Sequence, residues 1–201
     1  VGAISVKGLT PKGRHGNPGP RIAETPSGVL NCIGLENPGA EHFVTDILPD
    51  LKKYDVPLLA NMSAGTVEEF AWMAETLSVD GIAGLEVNVS CPNVESEGMA
   101  FGVDPKVVEQ VTKAVRKVTD KPVIVKLSPN VTDIVEIAKA VEAGGGNGVS
   151  LINTLLGMAI DIHRRKPLLG NIYGGLSGPA VKPVALRMVH QVYKGGTIPI
   201  I

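Results

Sequence analysis

Six short apolar runs, at residues 3–7, 58–62, 85–89, 123–127, 149–153 and 198–201, alternate with stretches whose apolar residues recur every three or four positions, at 67–77, 105–118, 133–143 and 179–193. This rhythm constrains the fold more than any other feature. Short runs rich in Val, Ile and Leu read as strands, and the three- to four-residue spacing reads as amphipathic helix. A helix between two strands is the crossover that parallel pairing requires. Strands that are apolar almost throughout are expected to be buried on both faces, which favours a (β/α) barrel over an open sheet. The expected fold is therefore an α/β TIM (β/α)8 barrel, incomplete here, with about six of the eight strands of the closed form.

Punctuation supports the helices. Thr132-Asp133 and Glu136 give the third a cap and an acidic first turn, and Gly144 gives it a stop. The fourth opens Ser177-Gly178-Pro179, where proline loses nothing by lacking an N–H and the free amides could hold a phosphate. Two segments interrupt the rhythm, at 8–39 and 155–176, and both read as long loop excursions at the mouth of the barrel. The whole of 1–201 is expected to be one domain. Val1 leads directly into a strand pattern and Ile198-Pro199-Ile200-Ile201 ends inside one, so the piece is expected to be truncated at both ends.

Composition narrows the function. With 44% hydrophobic and 19% charged residues and a net charge of −1, the chain has material for a core but no electrostatic footprint for nucleic acid or an anionic membrane. No apolar stretch has the length of a membrane span, and a cytoplasmic location is expected. Cys32 and Cys91 form no CxxC pair, and His15, His42, His163 and His190 have no ligand spacing, so no metal is expected on this chain.

In a parallel barrel the C-terminal strand ends converge on one mouth, where such enzymes keep their chemistry. Those ends carry Lys7, Asn61, Asn88 with Cys91, Lys126, and Asn153-Thr154. Any one of them is explained as a polar residue finishing a strand; the series is not. Asn88-Val89-Ser90-Cys91-Pro92-Asn93 is the densest part, with an ionisable thiol between two carboxamides. The set has neither a carboxylate pair nor a Ser-His pair, which leaves proton plus hydride chemistry. No side chain accepts a hydride well, and no GxGxxG opens a helix after a strand, so a barrel-bound flavin mononucleotide (FMN) is the expected cofactor.

These residues resemble a known family, the class 1 dihydroorotate dehydrogenases, above all the NAD-linked subclass 1B. The resemblance rests on GAISVKGLTPKGRHGNPGPR at 2–21, Asn31-Cys32-Ile33-Gly34-Leu35, NVSCPN at 88–93, VKLSPNVTDI at 125–134, LINT at 151–154 and GGLSGPA at 174–180. It implies FMN-dependent oxidation of (S)-dihydroorotate to orotate in de novo pyrimidine (UMP) biosynthesis. Cys91 matches the catalytic base that takes the C5 proton while the C6 hydride passes to flavin N5. Lys7, Gly8, Asn61, Asn88, Lys126, Ile152 and Gly178 match cofactor contacts. Lys7, Asn31, Cys32, Ile33, Gly34, Leu35, Asn88, Asn93, Asn153 and Thr154 match the substrate clamp. The loop at 94–101 reads as a lid. The resemblance further implies a homodimer, and a partner subunit that carries FAD and a [2Fe–2S] centre, since two cysteines cannot ligate a cluster that usually takes four.

Relative to the family pattern, the first strand and the glycine-rich turns after the last two strands are expected to lie outside this piece. Two other readings share part of the pattern. One is a pyrimidine-reducing barrel of the dihydropyrimidine dehydrogenase type; the other is a non-catalytic barrel fragment.

Overall fold

A computed structural model describes residues 2–90 and 101–201. In chain order the elements are β1 Ile4–Ser5, β2 Ile22–Thr25, β3 Gly28–Asn31, α1 Ala40–His42, a π-helical turn Phe43–Ile47, α2 Leu48–Leu51, β4 Leu58–Met62, α3 Val67–Leu77 and β5 Gly84–Asn88. After the undescribed segment come a 3-10 turn Phe101–Val103, α4 Pro105–Val118, β6 Val123–Lys126, α5 Ile134–Ala143 and β7 Gly148–Ser150. The last part contains β8 Leu155–Met158, β9 Ile160–Asp161, β10 Lys166–Pro167, β11 Tyr173–Ser177, a 3-10 turn Pro179–Val181 and α6 Lys182–Gly195.

Five strands form one parallel sheet in the order β1-β4-β5-β6-β7. A parallel bridge between Val149 and Ile200 adds the terminal segment as a sixth position, so all six expected strand positions are occupied. Helices α3 to α6 pack one against the next outside the sheet, and together they make a half-barrel. Alternation along the strands decides which side chains meet those helices. Leu58, Ala60, Met62, Leu85, Val87, Val123, Val125 and Val149 join Phe70, Met73, Val108, Val111, Ile137, Val141 and Met188 in one continuous core. No helix among the described residues is long and apolar enough to cross a membrane.

Burial on both faces holds, β5 and β7 being buried throughout and β4 and β6 nearly so. The inner face differs from the outer one in being partly polar: Ser5, Asn61 and Ser150 all hydrogen-bond to Glu86 inside the half-barrel. The helix boundaries shift slightly. Asp133 is the cap of α5, accepting from the Val135 amide at 2.8 Å, and the fourth helix divides into a 3-10 turn followed by α6. The helical stretch from α1 to α2 was not expected from the pattern.

The larger correction concerns the two excursions. They are not loops throughout: β2, β3, β11 and β8 pair in that order into a four-stranded antiparallel sheet, with β9 and β10 as a small hairpin. β11 sits at its centre, with Gly175 opposite Asn31 on one side and Leu156 on the other. This sheet has its own small core of Leu30, Cys32 and Leu169. It lies over the C-terminal end of the parallel sheet, the mouth of the half-barrel.

Candidate active site

Between the mouth of the parallel sheet and the antiparallel sheet is a cavity of about 580 Å³. Its floor and wall come from the strand ends: Lys7 beyond β1, Asn88, Val89 and Ser90 at the end of β5, Ser128 and Asn130 after β6, and Asn153 and Thr154 after β7. Its roof comes from Asn31, Ile33, Gly34 and Leu35 after β3 and from Tyr173, Gly174 and Gly175 of β11. The sequence reading therefore placed Lys7, Asn31, Ile33, Gly34, Leu35, Asn88, Asn153 and Thr154 in one pocket, and the structure brings these eight together.

The carboxamides are ordered by one another. Asn88 Oδ1 accepts from Asn153 Nδ2 at 3.0 Å and from the Ser90 amide at 3.2 Å, which turns the Asn88 Nδ2 donor away from both. Asn153 Oδ1 accepts from the Thr154 amide at 2.8 Å. Asn130 ties the same segment down from the other side, its Nδ2 donating to Thr154 O at 3.1 Å and its Oδ1 accepting from the Leu156 amide at 2.9 Å. Ser90 Oγ donates to Lys126 O at 2.9 Å and so locks the chain just before position 91 to the end of β6.

The roof turn depends on glycine at one position. Gly34 has φ +77, and a Cβ there would lie 2.5 Å from the Asn17 side chain, which donates from Nδ2 to Cys32 O at 3.0 Å. Asn37, buried below, accepts from the amides of Thr10 and Gly39 and donates to Leu35 O, joining the stretch after β1 to the roof.

Beneath the cavity is a layer the sequence reading missed. Glu86, in the middle of β5, is only 8% exposed. Its Oε2 accepts from Ser5 Oγ at 2.7 Å and Asn61 Nδ2 at 2.6 Å, and its Oε1 from Ser150 Oγ at 2.8 Å. Burial alone would raise its pKa, but the hydrogen bonds from Asn61, Ser5 and Ser150 and the charge of Lys126 outweigh burial and hold it below the ordinary value. The signal was the strict alternation Leu85-Glu86-Val87-Asn88, which marks one wet and one dry face.

Several expected residues stand elsewhere. Asn61 and Lys126 belong to the lower layer, Asn61 through Glu86 and Lys126 opposite both Asn88 and Ser150 in the sheet register. Gly8 packs beside Asn61, where a Cβ would come within 2.9 Å of Asn61 Oδ1. Ile152 packs against the main core. The Cys32 side chain does not reach the cavity; it is 1% exposed in the core of the antiparallel sheet, with its thiol 3.6 Å from Pro20 O. Gly178, at φ +104, meets the Ser27-Gly28 turn, and the Ala180 amide already donates to Ser27 O at 2.9 Å, so the turn takes one of the amides expected to be open. Cys91, Asn93 and the expected lid at 94–100 lie outside the described residues, while Phe101 beyond them stacks edge-on against Phe70 with centroids 5.7 Å apart.

Comparison with known proteins agrees with the fold. The family model "Dihydroorotate dehydrogenase" matches residues 1–201. The catalytic subunit of dihydroorotate dehydrogenase B (NAD(+)) from Desulforamulus reducens is 59% identical over the whole chain, which covers 66% of that protein. The subunits of the same name from Alkaliphilus metalliredigens and Enterococcus faecalis are 55% and 54% identical over the whole chain, which covers 67% and 65% of their lengths. The chain thus spans about two thirds of the curated relatives it matches.

Proposed function

Because this chain belongs to the dihydroorotate dehydrogenase family over residues 1–201, we propose that it supplies the barrel in which (S)-dihydroorotate is oxidised to orotate, the redox step of de novo pyrimidine biosynthesis. The observation that carries the reading is the convergence of Lys7, Asn88, Asn153 and Thr154 from separate strands with the 31–35 turn on one cavity, immediately before Cys91. The residues fit FMN. A planar ring with alternating carbonyl and N–H groups needs carboxamides and a cation along its edge and little bulk against its face; Asn88, Asn153 and Lys7 line the cavity for the first, with Asn61 and Lys126 in the layer directly beneath, and Gly174 and Gly175 line it for the second.

FMN held there would supply a ring able to accept the hydride that leaves C6. The chain's own residues do the rest. Cys91 as thiolate takes the C5 proton, so that the C5–H and C6–H bonding pairs become the new double bond and the departing hydride. Lys7 and Lys126 place positive charge where negative charge accumulates. Asn31, Ile33, Gly34, Leu35, Asn93, Asn153 and Thr154 hold the pyrimidine ring and its carboxylate, excluding water from the thiol. Asn88 completes the cofactor contacts from the cavity wall, while Gly178 and Ile152, outside its lining, are left the contacts the family pattern assigns them at the flavin's far end. Cys32 acts only through packing of the roof.

The relatives' names join NAD(+) to a catalytic subunit, which supports a separate electron-transfer subunit. With two cysteines in its sequence, this chain leaves FAD and [2Fe–2S] to that partner. The assembly is read as a cytoplasmic homodimer of catalytic chains, with residues 1–201 part of one barrel domain.

The test is a visible spectrum of the FMN-loaded protein before and after anaerobic dihydroorotate. Bleaching of bound flavin is expected, and C91A should keep FMN while reducing it at least about a hundredfold more slowly. Unchanged reduction in C91A would remove the thiol from its role. Preferential reduction of a free pyrimidine would assign the chain to the pyrimidine-reducing relatives.

A further inference from the structure

Glu86 belongs to neither of the residue sets assigned above. It is a carboxylate set in the middle of a strand, 8% exposed, and bound by three donors from three other strands: Ser5 of β1, Asn61 of β4 and Ser150 of β7. A structural carboxylate buried for stability alone is a poor solution, since apolar residues of the same size usually do as well or better. An ionised carboxylate differs from any apolar group in one respect: it accepts hydrogen bonds and never donates them. Every polar neighbour must therefore turn a donor toward it.

For the serines this has no further effect, because a hydroxyl that donates can still accept. For Asn61 it is decisive. A carboxamide has a donor end and an acceptor end, and with Nδ2 held 2.6 Å from Glu86 Oε2 the acceptor Oδ1 faces the other way, toward Gly8 and the end of β1. Gly8 keeps that space open, since a Cβ there would stand 2.9 Å from Oδ1. Lys126 of β6, in the adjacent register, supplies the positive charge that balances the site, and Lys7 lines the cavity above.

We propose that Glu86 is a positioning residue that fixes the direction of the Asn61 carboxamide, so that the cleft meets a hydrogen-bond acceptor at that point and selects a ring N–H of the bound ligand. The inference rests on the reading of the cleft as a flavin site. Glu86→Leu is the informative change, because leucine keeps roughly the size and offers no acceptor, whereas glutamine could still accept from Asn61 while donating to Ser150. Asn61 is then unpinned and can turn Nδ2 to the cleft, presenting a donor where an acceptor is needed.

The experiment measures FMN affinity, by quenching of flavin fluorescence, for the full chain as wild type, E86L and S150A. S150A removes one hydrogen bond from Glu86 but leaves Asn61 pinned. E86L is expected to weaken FMN about tenfold or more and to shift the bound-flavin spectrum, the scale of one lost or reversed hydrogen bond, whereas S150A stays within about threefold of wild type. Equal FMN affinities and spectra in wild type and E86L, or an equal loss in E86L and S150A, would overturn the positioning role and leave the flavin site intact. If wild type itself takes up no FMN, the flavin reading falls separately. In that case, or if E86L does not fold, the Asn61 side-chain N–H protons decide by NMR of the wild-type protein. Protection from solvent exchange supports the pinned amide, and rapid exchange overturns it.

Discussion

A carboxylate inside a sheet either collects enough donors to stay charged or takes up a proton. Glu86 collects three, and its depressed pKa makes stability depend on pH. A group whose folded pKa lies below its unfolded value stabilises the fold above the unfolded value, here about 4.5, and loses that contribution as pH falls through the folded value. The wild-type melting temperature should therefore fall on acidification below about pH 4.5 by more than that of E86Q, which has no carboxyl to protonate at this site. Thermal melts of both proteins between neutral and acid pH check this; parallel curves would mean that Glu86 titrates alike folded and unfolded. At this scale the cavity residues were legible because lysines and asparagines at the ends of apolar runs are conspicuous. Glu86 was not, since a single acidic residue inside an apolar strand looks like an interruption. The Cys32 side chain turns away for a different reason: adjacent positions along an extended segment point to opposite faces, so a pattern that delivers Asn31 to the cavity sends its neighbour's thiol into the core.

The elements divide into those with a strong period and those without one. The strands β4, β5 and β6 and the helices α3, α4 and α5 announce themselves through Val, Ile and Leu at regular intervals and through caps such as Thr66 and Asp133. The antiparallel sheet does not. Its strands are only four or five residues long, and β11 contains Gly174 and Gly175, which have low strand propensity and resemble turn residues in isolation. The reason for those glycines appears only in three dimensions. A Cβ on Gly175 would collide with Thr154 Oγ1 and Cβ, so the centre of the roof must be bare for β8 and the 153–154 segment to close beneath it. G175A is expected to cost about 1–3 kcal/mol through overpacking and to weaken ligand binding. G196A, where a Cβ would find its first neighbour at an ordinary 3.7 Å, should stay within about 0.5 kcal/mol. Urea unfolding of the two variants makes the comparison; equal losses would show that the roof accommodates the methyl group.

At the scale of the whole molecule, the half-barrel and its roof have very different amounts of buried apolar material. The parallel sheet and its helices share one continuous core, while the antiparallel sheet has Leu30, Cys32 and Leu169 with a few partly buried neighbours. Local opening follows that difference. Backbone amides of Leu85, Val87 and Val125 should be the slowest to exchange with deuterium, those of Ala23, Leu30 and Gly175 distinctly faster, and a ligand in the cavity should slow the second group while leaving the first unchanged. Exchange of both groups at one common rate would mean that roof and barrel open as a single unit.

The pairing of Gly175 with Asn31 spans 144 residues of sequence, whereas the parallel sheet is closed by far shorter spans, the longest being that from Ile4 to Leu58. Contacts that close so long a loop form late, because the chain must surrender the loop's freedom before the contact returns anything. As the chain leaves a ribosome, successive βα units can dock one upon the next while the 22–31 hairpin waits for a partner that has yet to be synthesised. The scaffold that carries the lysines and asparagines is thus ready early, and the roofed cavity exists only once residues 155–177 have returned to 22–31.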